Sequence, residues 1–249
     1  MDLLQAGALA GAGVVAGTVN TIAGAGSLLT FPALLAAGLP PLSANVTNCL
    51  GMVPGGISGA YGMRDQLQGQ RATVLRWCLW AAVGSLLGAG LLLALPSSAF
   101  DRIVPVLVGA AGVLVLLQPV VVRRTRRANG HVSRATGPTI AGVAVYSGYF
   151  GAAQGVMFIG ALGIVAPQPL PRTNAVKNVL SFTGNGAAGV VYAIAAPVDW
   201  TAALLLAVGS ACGGPLGAAL SRRIPAGPLR VGIAAIALGV AARLAWDAW

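Results

Sequence analysis

Glutamate is absent from this sequence, and aspartate occurs five times, at Asp2, Asp65, Asp101, Asp199 and Asp247. Each falls at a terminus or in a turn of the apolar pattern, so no carboxylate is embedded in a hydrophobic segment. That argues against a protein-borne proton relay of the usual kind and against a cation carrier, which generally wants carboxylate ligands. Histidine occurs once, at His131, and lysine once, at Lys177. The three cysteines, Cys49, Cys78 and Cys212, lie singly within apolar segments, so no disulfide framework or metal spacing is visible. Neither HExxH nor a pair of intramembrane aspartates occurs, which excludes metallo- and aspartyl-proteolysis. No cofactor is expected.

Charged residues of all kinds make up only 8% of the chain, against about 25% in an ordinary soluble domain. The remainder is 57% hydrophobic, with a mean hydropathy of +0.83. These figures define an all-α polytopic membrane protein, one integral domain over residues 1–249 embedded in a lipid bilayer. The net charge of +10 does not point to nucleic acid. The arginines sit at the ends of apolar spans, without the aromatic–basic interleaving of single-strand binders. At the N-terminus, "MDLLQAGALAGAG" is acidic where a signal peptide is positive, so the first apolar segment is expected to remain in the protein.

What is present is a paired motif. "NTIAGAGSLLTFPALLAAGLPPLSANVTN" (Asn20 to Asn48) is answered by "FGAAQGVMFIGALGIVAPQPLPRTNAVKN" (Phe150 to Asn178). An offset of about 129 positions superposes Ala23 on Ala152, Gly26 on Gly155, Pro40 on Pro169 and Asn45 on Asn174, and puts Asn48 opposite Lys177. Short, interrupted apolar segments at matching places in two halves are the sequence-level pointer to a transporter's binding site.

Around that pair the apolar segments fall into two sets of five: 3–21, 25–37, 45–63, 73–95 and 103–122, then 139–149, 154–166, 174–196, 201–220 and 231–246. Repeat 1 thus covers about 3–122, a basic linker 123–137, and repeat 2 about 138–246. An odd number of crossings per repeat makes tandem copies face opposite ways. With the arginine-rich linker in the cytoplasm, inversion also puts Arg64, Arg71, Arg172, Arg222, Arg223 and Arg230 inside. Both termini and the weakly charged turns "GLPPLSAN", "PSSAFDR" and "PVDW" then lie outside, with only Arg102 and Arg243 misplaced. The sequence leaves open whether the short segments cross or re-enter.

Candidate ligands cluster at the breaks. Asn20, Thr21, Asn45, Thr47, Asn48, Gln154, Asn174 and Asn178 are uncharged polar side chains, and an oxyanion stripped of water needs several donors. They could equally cap helices or join them. Gly24, Gly26, Gly151 and Gly155 would let backbone approach a ligand, and Gly17 is better suited to helix packing. Lys177 has two readings: it neutralises an anionic substrate held at helix ends, or it snorkels to the cytoplasmic face beside Arg172. A Ser–Lys intramembrane enzyme is the competing class, because Lys177 and Ser181 share a helix face, but no further activating group accompanies them. A non-transporting integral membrane protein is the remaining alternative.

The same residues resemble a known family. "GTVNTIAGAGSLLTFPALLAAGLPPLSANVTN" with "PGGISGAYGMR" is similar to the first signature of the sulfite exporter TauE/SafE family of bacterial permeases. "GYFGAAQGVMFIGALG" and "RTNAVKNVLSFTGNGAAGVVYAIAAPVDW" are similar to its second. The resemblance implies a multi-pass protein of the bacterial cytoplasmic membrane that moves small sulfur-containing or organic anions such as sulfite or sulfonates. The residues it carries over are Asn20, Gly24, Gly26, Asn45 and Asn48, and Gly151, Gly155, Asn174, Lys177 and Asn178. Gln154 departs from it, standing where a small residue is common. Together these expectations describe alternating access around a mid-membrane anion site. The glycine-rich faces permit a homodimer without requiring one.

Overall fold

The computed structural model describes residues 3–125, 132–221 and 226–248. Arg126, Arg127 and His131 of the linker, and Arg222 and Arg223, lie outside the described residues. Repeat 1 comprises α1 (Leu3–Ala23), α2 (Ser27–Ala36), α3 (Pro41–Gly51), α4 (Val53–Gly62), a 3-10 turn (Arg64–Leu67), α5 (Arg71–Ala94) and α6 (Ser97–Thr125). Repeat 2 comprises α7 (Thr136–Tyr149), α8 (Gln154–Val165), α9 (Leu170–Ala195), α10 (Trp200–Leu220) and α11 (Ala226–Ala248). Among the described residues, five helices, α1, α5, α6, α10 and α11, are long and apolar enough to cross a membrane by length and composition.

Two expected turns are shorter than the sequence suggests. "PSSAFDR" is helical from Ser97, because serine and proline are tolerated in a helix's first turn. "AGPLR" likewise opens α11, with Pro228 inside its first turn. Conversely, 45–63 is two helices divided at Met52, because Pro54 has no amide hydrogen to continue the ladder. Pro40 and Pro169 occupy the N-cap positions of α3 and α9, as the offset of 129 expects.

Large apolar side chains lie on both sides: Leu79, Leu87, Val106, Ile194 and Leu204 face outward, toward lipid, while Leu28, Phe31 and Phe100 are buried together with many alanines, glycines and polar side chains. Lipid tails give apolar side chains no reason to turn inward, so helices meet through small residues that allow close backbone approach. The tightest seams cross between repeats. On α10, Gly209 lies against Ala10 and Gly213 against Val14; on α5, Gly84 lies against Ala141 and Gly88 against Val145. In both seams residue numbers rise together, so α1 runs parallel to α10 and α5 parallel to α7.

The contact pattern is pseudo-two-fold: α1 packs on α10 as α7 packs on α5, and α4 on α10 as α9 on α5. α6 packs on its counterpart α11, and α4 on its counterpart α9. Within repeat 1, α2 turns back along α1, with Ala33, Ala36 and Ala37 sharing a cleft with Gln5, Ala8 and Leu9 near the start of α1. The chain then reverses into α3–α4, again into α5 and again into α6. Those five passes deliver α7 to the end opposite the start of α1, so the repeats are inverted.

Candidate substrate site

The two breaks are built by glycines in left-handed backbone. α1 stops before Gly24, at φ +76°, and α7 stops just before Gly151, at φ +75°. These two glycines are 127 positions apart, so the structural offset at the breaks is two less than the 129 that fits from Pro40 onward. Ala153, at φ +56°, is left-handed without being glycine and ends the break before α8. The two breaks touch: the Gly155 amide donates to the Gly24 carbonyl at 3.1 Å.

A helix leaves its last four carbonyls without intrahelical partners. At the end of α1 all four are met by side chains from other helices. Lys177 Nζ donates to the carbonyls of Asn20 (2.7 Å) and Thr21 (3.3 Å). Asn174 Nδ2 donates to Thr21 (3.4 Å) and Ile22 (3.3 Å). Gln118 Nε2 donates to Ala23 (3.1 Å), and its own Oε1 accepts from Arg230 Nε at 2.8 Å. The ammonium thus meets the negative end of a helix dipole. Lys177 is 0% exposed, so it does not snorkel, and its two bonds go to α1. Ser181 Oγ has no partner, so the Ser–Lys pair is not joined.

The end of α7 carries the pseudo-symmetric version. Asn45 Nδ2 donates to Tyr149 O at 3.0 Å, matching Asn174 on Ile22. The Tyr192 hydroxyl donates to Gly148 O. Asn48, opposite Lys177 in the alignment, accepts from Thr30 through Oδ1 instead. Gln154 accepts from Ser147 and donates to Asn185 Oδ1 at 2.9 Å. Thr21 donates to Gly17 O, and the Gly26 amide donates to Asn20 Oδ1 at 3.4 Å. The predicted residues therefore form two clusters. Asn20, Thr21, Asn174, Lys177 and Asn178 gather at the end of α1, and Asn45, Gly151 and Gln154 at the end of α7. Gly24 and Gly155 join the two breaks.

Sequence reasoning missed Gln118, Ser147, Asn185, Tyr192 and Arg230. Gln118 was findable as a lone amide just before Pro119 in an apolar run. The others are conspicuous only once the helices are assembled.

A cavity of about 520 Å³ opens at the end where α4 and α10 stop and α9 starts. Gly62, Met63, Asp65, Gln66, Asn174 and Ser221 are among its lining residues. Asn178 donates to Met63 Sδ behind it, at 3.4 Å. At the opposite end the position of Met63 is held by Tyr192, 0% exposed, and Phe31, Phe100, Tyr146, Tyr149 and Phe150 stack edge-on beside it. Ser43 Oγ donates to Pro197 O, and the Asp199 amide to Thr47 Oγ1, which closes that end further. One end is open and its counterpart is plugged.

Inverted repeats with glycine-broken helices that touch at their breaks define a class of polytopic membrane protein in which transporters recur. The sulfite exporter TauE/SafE family model matches residues 9–244, and the chain belongs to that family. It is 31% identical over 214 residues to a probable membrane transporter protein of Haemophilus influenzae, covering 83% of this chain and 81% of the relative. It is 32% identical over 212 residues to the probable membrane transporter protein YfcA of Escherichia coli K12, covering 83% and 77%. To the probable membrane transporter protein ORF9 of a Sinorhizobium species it is 28% identical over 238 residues, covering 95% and 90%. No solved structure matches significantly.

Proposed function

We propose that this protein transports small oxyanions of the sulfite or sulfonate class across the bacterial cytoplasmic membrane, acting as an exporter by alternating access between its two pseudo-symmetric ends. The observation that carries this reading is the unlike state of the two ends. Met63 and Tyr192 stand at matching positions, yet the cavity reaches Asn174 at one end and aromatic packing buries Asn45 at the other. Rocking one repeat against the other would exchange these states about the Gly24–Gly155 contact. The open end carries Arg64, Arg71 and Arg172, so it is assigned to the cytoplasm together with the linker, and both termini to the outside. A cytoplasm-negative potential then drives anions outward by ~2.3 kcal/mol per charge per 100 mV.

The test is Met63→Tyr, which copies the Tyr192 plug into the open end. In proteoliposomes, protein-dependent sulfite efflux is expected to fall to near the protein-free background, while the purified variant keeps its yield and monodispersity. Efflux equal to wild type in a well-folded variant would show that the vestibule is not on the transport path.

A further inference from the structure

The donors at the break are already spent, and what is left open is a set of acceptors. Asn174 has its Nδ2 fixed by the Thr21 and Ile22 carbonyls. Turning the amide over would set oxygen against two carbonyl oxygens, so its Oδ1 is the free atom. That oxygen is buried, has no hydrogen-bond partner, and belongs to a residue that lines the vestibule. Asn178 Oδ1, one turn further along α9, is also buried and unpartnered, as is the Ser181 hydroxyl on the next turn, which can accept as well as donate. The three residues, at i, i+4 and i+7, share one face of α9. A buried acceptor without a partner is destabilising, and a ligand that donates a hydrogen bond relieves it.

A fully deprotonated oxyanion has lone pairs and no donor, so it is repelled where these oxygens would have to hold it. The titratable and charged groups around Asn174 do not offset that repulsion. Asp65, from the turn after α4, lines the cavity. Arg172, two residues before Asn174 on α9, and Arg64, stacked over Tyr61 and donating to its carbonyl, are exposed at the same end and stand outside the cavity lining. Lys177, on α9 itself, points its ammonium at the carbonyls of Asn20 and Thr21. From α1, α4 and α10 the neighbours are Thr21 and Ile22, Gly62 and Met63, and Ala218 and Ser221, none of them charged.

We propose that sulfite docks at the vestibule floor as hydrogensulfite, its O–H donating to Asn174 Oδ1, so that each turnover carries a proton with the anion. This rests on the transporter reading of the vestibule. It also gives the proton a carrier in a chain that embeds no carboxylate in an apolar segment. No bond is made or broken in the protein. Hydrogensulfite is bound at one face and released at the other, where it dissociates to the sulfite dianion and H⁺.

The experiment uses wild-type protein in liposomes with a trapped pH dye, and radiolabelled sulfite across the pH range in which sulfite changes protonation state. Protein-free vesicles give the background from sulfur dioxide leak. Protein-dependent uptake is expected to follow the hydrogensulfite fraction, falling as pH rises, and to acidify the lumen as it proceeds. Sulfate, with no acidic proton in this range, is expected neither to cross nor to slow sulfite. Asn174→Ala is expected to lose about tenfold in uptake, as befits one hydrogen bond. Luminal alkalinisation during sulfite uptake would mean that the dianion is carried and would overturn the inference, as would sulfate uptake matching that of sulfite. Absence of protein-dependent uptake of sulfite, sulfate and acetate alike would overturn the transporter reading itself, and the inference with it. The wild-type measurements decide the matter even if Asn174→Ala does not fold.

Discussion

Gly155→Val is expected to abolish transport and to leave little correctly folded protein. At this position the α8 backbone lies directly on Gly24 of the other repeat, and an added Cβ would meet the Gly24 Cα, carbonyl oxygen and carbonyl carbon together. No flexible side chain stands in the way that could swing aside. Seen from the other side, a Cβ on Gly24 would sit 2.6 Å from Gly155 Cα, and Gly24 is also held at φ +76°. Any substitution there adds left-handed strain to the clash. Separating the breaks also costs the 3.1 Å bond between them. Gly90→Ala is the control: it lies on the exposed side of α5 with nothing within 4 Å of a new Cβ, and helix propensity favours alanine there. Yield and monodispersity in detergent, followed by sulfite flux, check both variants. A well-folded, active Gly155→Val would refute the close crossing.

Lys177→Met is expected to lower stability by roughly 1–3 kcal/mol, because it removes one donor from each of the Asn20 and Thr21 carbonyls, leaving the Gly24 amide on the first and Asn174 on the second, in a site without lipid or solvent contact. Interhelical hydrogen bonds in membranes average only about 0.6 kcal/mol and reach about 1.7. Two of them on one ammonium, at a helix's negative end, belong at the upper end of that range. Lys177→Arg should not rescue, since a 0%-exposed pocket shaped for an ammonium has no room for a guanidinium. The check is the midpoint of thermal unfolding in detergent, which should drop for both variants whether or not an anion is added. A drop seen only in the presence of sulfite would mark Lys177 as a direct ligand and contradict its place as the cap of α1.

Much of the architecture was legible because it rests on local chemistry. Glycine at the breaks, proline before α3 and α9, and arginine at one set of loop ends each have a backbone or bilayer reason that needs no tertiary contact. The pairing of Asn45 with Asn174 was also readable, and both side chains perform the same task on opposite repeats. The role of Lys177 was not readable. Its distance from the span's end suggested substrate or membrane surface, and only the approach of α9 to the end of α1 shows which carbonyls it meets. Tyr192 was hidden for the same reason: in the sequence it is one more apolar residue of a long helix, and its plugging role depends on lying opposite Met63. The two-residue slip in offset at the breaks arises because α7 reaches its glycine two positions earlier, measured against the prolines, than α1 does.

The exchange of the two ends is tested most directly at Ala218 and Ala89, the same residue at positions 129 apart. Ala218 lines the open vestibule, and Ala89 is 0% exposed. With Cys49, Cys78 and Cys212 replaced by alanine, single cysteines would be introduced at each position and exposed to a membrane-impermeant thiol reagent. At rest, Ala218→Cys should react quickly and Ala89→Cys slowly. During sulfite turnover the first rate should fall and the second should rise. Rates at both positions that stay the same with and without turnover would contradict alternating access.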